Sequence, residues 1–138
     1  MDLKKLIECA FSARQNSYSP YSHYMVGAAV LCRDGSIITG TNIENASYGA
    51  TVCAERVAIF TAVASGHKDL VAIAVCGGSS DETDELSDYA YPCGICRQVM
   101  REFADPATFT VAVARSVSDY RKYTFEELFP DSFGPDNL

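Results

Sequence analysis

The sequence predicts an α/β protein built on one mixed β-sheet with helices on both faces, and two observations carry that reading. Two β-prone runs, MVGAAVLC and SIITGTN, flank Arg33-Asp34-Gly35, and Asp-Gly between such runs is a strong hairpin signal. Further on, an apolar run, a helical pattern and a second apolar run follow one another between residues 70 and 114, the order of a right-handed parallel crossover. A hairpin is antiparallel and a crossover parallel, so one sheet holding both is mixed, and its helices have two faces to cover.

Taken in order, residues 2–15 place Leu3, Leu6, Ile7, Ala10 and Phe11 on one stripe, which predicts a first amphipathic helix. NSYSPYSHY (16–24) has the turn residues and the proline of a loop. After the hairpin, VCAERVAIFTAVAS (52–65) reads as a helix closed by Gly66. LVAIAVCG (70–77) and TFTVAVA (108–114) are short apolar runs with β-branched residues, hence buried strands. Between them Ile95, Val99 and Phe103, spaced by four, mark a helix over about 93–104. Thr124 with Glu127 forms a capping-box pattern for a short last helix. From Gly77 to Tyr91 no regular pattern holds, and the five acids at 81, 82, 84, 85 and 88 predict a solvated loop.

No repeat or linker divides the 138 residues, so 1–138 is read as a single domain. A net charge of −7, with the eleven Lys and Arg scattered, leaves no track for a polyphosphate and argues against a nucleic-acid partner. No stretch reaches the roughly 18 apolar residues of a membrane span. The charged N-terminal segment MDLKKLIECAFSAR has no run for a signal peptide, which points to the cytoplasm. There thiols stay reduced, so clustered cysteines are read as metal-binding or catalytic rather than as disulfides. Cys9, Cys32 and Cys76 sit singly in apolar segments and are read as small buried hydrophobes.

The chemistry centres on three other cysteines. Cys93 and Cys96 stand three apart in YPCGICRQ, and Cys53 opens TVCAERVAIF; both stretches lie at helix starts, where a thiolate is favoured over a thiol. The CxxC pair alone fits a redox couple as well as a metal. A third cysteine, Glu55 two residues after it and Pro92 before the pair shift the balance toward a catalytic zinc site, which takes three protein ligands and keeps a carboxylate near. Positions 53 and 55 of a regular helix point about 200° apart, so Cys53 must lie at or outside the helix start for Glu55 to reach the same ion. Three thiolates on Zn²⁺ leave one excess negative charge; Arg56 is expected to contact a ligand sulfur, and Arg97 is a second candidate to offset that charge. Two rival readings stand beside this one: a structural zinc, needing a fourth ligand from Cys9, Cys32, Cys76, His23 or His67, and a redox CxxC. Both histidines are otherwise read as surface residues.

With these residues in place, the chain resembles the small homotetrameric cytidine deaminases. The likeness runs from YSPYSHYMVGAAVL (18–31) through GTNIENASYGATVCAER (40–56) and PCGICRQV (92–99) to FEELFPDSFGPDNL (125–138), with the zinc deaminase signature in its three-cysteine form, CAE and PCGIC. The resemblance implies a three-layer α/β/α sandwich that deaminates cytidine and 2′-deoxycytidine hydrolytically in pyrimidine salvage. It implies that Cys53, Cys93 and Cys96 hold one zinc per subunit, with Glu55 as proton shuttle for the attacking water. Asn42 and Glu44 of NIEN would take the ribose, and the Ala54 N–H the base carbonyl. Tyr24 and a neighbouring subunit's Phe133 would sandwich the pyrimidine, so active sites would be shared within a homotetramer. Tyr24 stands where phenylalanine is more usual, and Met25 where proline is.

Overall fold

A computed structural model describes every residue from 1 to 138. The N-terminal stripe folds as α1 (Leu3–Arg14), capped by Asp2, whose carboxylate accepts the Lys5 amide at 3.0 Å. The hairpin forms from β1 (Tyr24–Cys32) and β2 (Ile37–Thr41), antiparallel, with Leu31 facing Ile37. Helices α2 (Ala54–Ala64) and α3 (Gly94–Phe103) each begin one residue after a cysteine, which becomes the N-cap. Strands β3 (Leu70–Ser79) and β4 (Thr110–Ala114) are parallel neighbours joined through α3. β3 runs past the predicted apolar stretch to Ser79 because it pairs with β1 along its whole length, down to Tyr24 opposite Ser79.

One strand has no counterpart among the predicted elements. β5 (Tyr120–Thr124), sequence YRKYT, lies antiparallel on β4 at the sheet edge with every residue at least partly exposed. An edge strand with no buried face carries no hydrophobic alternation, and charged residues there keep the edge from recruiting another chain. Helix α4 (Phe125–Leu128) follows at once, with the predicted capping box of Thr124 and Glu127 formed. The sheet order is β2-β1-β3-β4-β5.

The period-2 alternation of the strands gives the two faces different textures. Toward α1 they present Ala29, Ala72, Ala74, Cys76, Ala112 and Ala114, nearly all small, against Leu6, Ile7 and Ala10. Toward α2, α3 and α4 they present Val30, Ile73, Val75, Val111 and Val113, packed on Ile59, Met100 and Phe125. The result is the expected three-layer α/β/α sandwich. No helix is long and apolar enough to cross a membrane.

Of the isolated cysteines, Cys32 and Cys76 are buried as expected, while Cys9 is half-buried on α1. Past the end of β3 at Ser79, the segment up to Tyr91 is the irregular and largely exposed loop its acids predict, with one buried anchor. Leu86 is buried in the α1-side core, and its amide donates to the Arg115 carbonyl at 2.8 Å. Burying this leucine removes apolar surface from water while Asp81, Asp84, Glu85 and Asp88 stay exposed around it.

Layer spacing near the site depends on Gly40. A Cβ there would lie 2.4 Å from the Ala58 nitrogen and 2.6 Å from the Ala54 carbonyl, so α2 rests directly on the backbone of β2. Gly40→Ala is therefore expected to lower stability by about 1–3 kcal/mol, the usual cost of overpacking. A urea titration reads this as a lower midpoint, and a wild-type midpoint would contradict the contact.

Candidate metal centre and active-site pocket

Two helix starts bring the three sulfurs together. Cys53 and Cys93 take extended N-cap conformations (φ −72°, ψ 154° and φ −70°, ψ 170°), and neither side chain caps its helix, so both thiols are free for other work. Cys53 thus lies just outside α2, as its partnership with Glu55 requires. Cys96 lies buried in the first turn of α3. The Cys53 and Cys93 sulfurs are 3.8 Å apart, those of Cys93 and Cys96 3.5 Å, and all three lie within 4.8 Å of one another. A tetrahedral zinc with Zn–S near 2.3 Å sets its sulfurs about 3.8 Å apart, so this donor set fits the ion. All six cysteines are free, and neither Cys9, Cys32, Cys76, His23 nor His67 joins the group. The structural-zinc alternative therefore finds no fourth ligand among them.

The electrostatics suit thiolates. Arg56 donates from Nη2 to the Cys53 sulfur at 3.4 Å, as expected, and its buried Nε has no partner. Cys53 is drawn down to about 5, first by the nearby Cys96 thiol and then by its hydrogen bonds with Arg56 and Cys93. Cys96 is pushed up, first by the neighbouring Cys53 sulfur and then by burial. Arg97 behaves differently from Arg56 and touches no sulfur. Its Nε donates to the Pro92 carbonyl at 2.7 Å and its Nη1 to the Leu128 carbonyl, an acceptor the end of α4 leaves unpaired. Arg97 braces the entry to Cys93.

Glu55 occupies the first turn of α2 at 4% exposure, and burial is the main cause that lifts its carboxyl to about 7. With Cys53, Ala54 and Cys93 it lines a cavity of about 330 Å³. Tyr24, Val26, Val75, Tyr89, Ala90 and Tyr91 complete its lining. Tyr24 therefore shares a cavity with Glu55, Cys53 and Cys93. Phe133 is elsewhere: it is 60% exposed, outside the cavity lining, with its carbonyl accepting the Gln98 amide at 3.0 Å.

The NIEN segment adjoins the metal site through Ile43, which exchanges two backbone hydrogen bonds of 3.0 Å with Val52, next to Cys53. Glu44 lines a second depression of about 340 Å³ with Tyr21, Ser22, Tyr48 and Thr51. Its carboxylate accepts the amides of Tyr21 and Ser22 at 3.0 and 3.1 Å and also the Ser22 hydroxyl, which is the first cause holding it below the usual carboxylate range. Asn42 is 9% exposed; its Oδ1 accepts the Val26 amide at 2.9 Å and its Nδ2 donates to the Tyr24 carbonyl at 2.8 Å. The Tyr24 amide in turn donates to the Ser22 hydroxyl at 3.0 Å. Tyr24 thus lines the cavity of Glu55, while its backbone is held by Asn42 directly and by Glu44 through Ser22.

Tyr89, Ala90 and Tyr91 belong to the stretch without a regular pattern, and no site residue was expected in it. The available signal was Tyr-Ala-Tyr directly before Pro92-Cys93, since alternate residues of an extended segment share a face. The Arg115 and Arg121 guanidinium groups lie 4.7 and 4.2 Å from the centroid of the Tyr89 ring, and its hydroxyl donates to Asp119 at 2.6 Å. The Tyr91 hydroxyl meets that of Tyr123 at 2.9 Å. The unpredicted strand β5 therefore supports this wall.

Comparison with known proteins agrees with that geometry. Residues 1–112 match the family described as the cytidine and deoxycytidylate deaminase zinc-binding region. A cytidine deaminase of Halalkalibacterium halodurans is 45% identical over all 138 residues, covering 98% of that relative. A blasticidin-S deaminase of Bacillus cereus is 35% identical over 91% of this chain and 88% of its own length. The crystal structure of cytidine deaminase from Burkholderia pseudomallei superposes with a TM-score of 0.85 at 43% identity, covering 96% of this chain and 100% of that one.

Removing one sulfur tests the cluster. Cys93→Ala protein, dialysed and examined by elemental analysis, is expected to retain less than about a tenth of the wild-type zinc, because even outer partners of a metal cost 10–100-fold in affinity. Wild-type zinc content in that variant would contradict the three-sulfur centre.

Proposed function

The chain belongs to the zinc-dependent cytidine deaminase family, and from that membership and the cavity's chemistry we propose that it hydrolyses cytidine, and 2′-deoxycytidine at the same site, to the uridines with release of ammonia, in pyrimidine salvage. One observation carries the reading: three sulfurs are spaced for zinc, and two of them, those of Cys53 and Cys93, line one cavity with the buried carboxyl of Glu55, of a size suited to a small ligand. Zinc, held by Cys53, Cys93 and Cys96, supplies the Lewis acidity that makes water a nucleophile near neutral pH.

The rest is the work of the chain's own groups. Glu55 takes the proton of the attacking water, gives it to ring N3, and then passes the second proton to the 4-amino nitrogen, which leaves as ammonia. Burial supports that role, since a carboxyl near 7 both accepts and returns a proton at neutral pH. The amide of Ala54, at the first position of α2, has no acceptor within the helix and is offered to the base carbonyl. Tyr24 stacks on the pyrimidine. Asn42 retains one amide hydrogen and Glu44 its remaining lone pairs for the sugar hydroxyls. Arg56 reduces the excess negative charge of three thiolates on one cation.

Residues 1–138 act as one deaminase domain in the cytoplasm, where reducing conditions keep the ligand thiols available. The exposed Phe133, held away from its own cavity, supports a homotetramer in which it closes a neighbour's site. The relative named for blasticidin S favours one second reading, that compound as substrate, and parallel assays separate the two.

Cytidine added to the purified protein is expected to lose its ultraviolet absorbance and release ammonia in step, and a zinc chelator is expected to stop both. No turnover of cytidine alongside turnover of blasticidin S would replace the first reading with the second. Glu55→Gln is expected to keep its zinc and lose about 10²–10⁴-fold in kcat, the range for a general acid–base group; half the wild-type rate would remove Glu55 from the mechanism.

A further inference from the structure

Arg14, the last residue of α1, is 1% exposed, and no carboxylate lies within 4.0 Å of it. Its charge is met by main-chain oxygens alone. Nε donates to the Met25 carbonyl at 2.8 Å, Nη1 to Glu82 at 3.0 Å and more weakly to Thr83 at 3.5 Å, and Nη2 to Gly78 and Ser79 at 3.0 and 2.8 Å. Two regions distant in sequence converge on one guanidinium: the start of β1, and the end of β3 with the acidic stretch that follows it. Glu82 closes the clasp, accepting the amides of Ser79 and Ser87 at 2.8 and 2.9 Å together with the Ser87 hydroxyl.

Each clasped segment continues into the cavity wall. Met25 stands between Tyr24 and Val26, which both line the cavity, and the acidic stretch leads to Tyr89 and Ala90. Gly78 follows Gly77, and a Cβ on Gly77 would lie 2.9 Å from the Ala90 methyl and 3.0 Å from the Tyr24 ring, so both rest on bare backbone. The sulfurs and Glu55, by contrast, ride on α2 and α3 across the sheet from α1. We propose that Arg14 is a positioning residue that sets the substrate-contacting wall of Tyr24 and Ala90 from behind, without acting on the metal centre. Lysine does not substitute, because its three donors radiate from one nitrogen, whereas the guanidinium fork spreads five over the carbonyls of both regions.

The proposal rests on the deaminase reading for its kinetic consequence, and its test uses zinc-loaded full-length protein. Arg14→Lys is expected to keep wild-type zinc content and to raise KM for cytidine about tenfold with kcat within about threefold, since a shifted wall weakens positioning while the reacting groups stay in place. Amide hydrogen exchange in residues 79–91 is expected to quicken in that variant, with α2 and α3 unchanged. A wild-type KM, or KM and exchange that change only in proportion to global unfolding, overturns the proposal. If Arg14→Lys does not fold, Glu82→Gln decides in the same way: a raised KM at full zinc content supports the clasp, an unchanged one overturns it. Absence of cytidine turnover in the wild type is a failure of the functional reading instead, and the exchange measurement, which needs no substrate, then decides the clasp.

Discussion

Three thiolates cannot share a small space without a cation and a favourable field, and that constraint organises the structure. Each sulfur carries a negative charge when it binds metal, and their separations of 3.5 and 3.8 Å would be strongly repulsive otherwise. The chain meets the requirement by making two cysteines the N-caps of two helices, so that both positive helix ends face the cluster, and by setting Arg56 against the Cys53 sulfur. One geometric choice, cysteine at the N-cap, also lets Glu55 reach the same cavity from the first turn of α2.

The sheet exists, in this sense, to bring those helix starts together. Both helices pack on the face built from Val30, Ile73, Val75, Val111 and Val113, while the alanine-lined face receives α1. β3 leads into the Cys93 segment and through α3 into the parallel strand β4, so the metal cluster follows a strand's carboxyl end, where open α/β sheets usually bind ligands. Close backbone approaches fix the remaining distances: α2 against Gly40, and the cavity wall against Gly77.

Much of this was legible in the sequence because it is written in local patterns. The α1 stripe, the Asp-Gly hairpin, the N-cap position forced on Cys53 by Glu55, and the contact from Arg56 all follow from spacing of three, four or two residues. β5 was not legible, since a polar edge strand is defined by the strand it joins rather than by its own alternation. The Tyr89 to Tyr91 wall was hidden by the five acids before it, whose charge reads as solvated although Leu86 and Glu82 tie the segment down. Arg14 continues the α1 stripe four residues after Ala10, a charge on an apolar face, but its carbonyl partners come from segments up to 69 residues away and no local pattern announces them. Arg97, placed four after Cys93, shows the opposite hazard: the spacing allowed a sulfur contact, and nearby carbonyls took the side chain instead.

Everything in the site follows from a chain that offers zinc three sulfurs and no fourth protein ligand. X-ray absorption at the zinc edge of the loaded protein tests that ligand set directly. Three sulfur scatterers near 2.3 Å and one oxygen near 2.0 Å are expected, the oxygen coming from solvent. A shell of four sulfurs, or three sulfurs with an imidazole nitrogen, would contradict it.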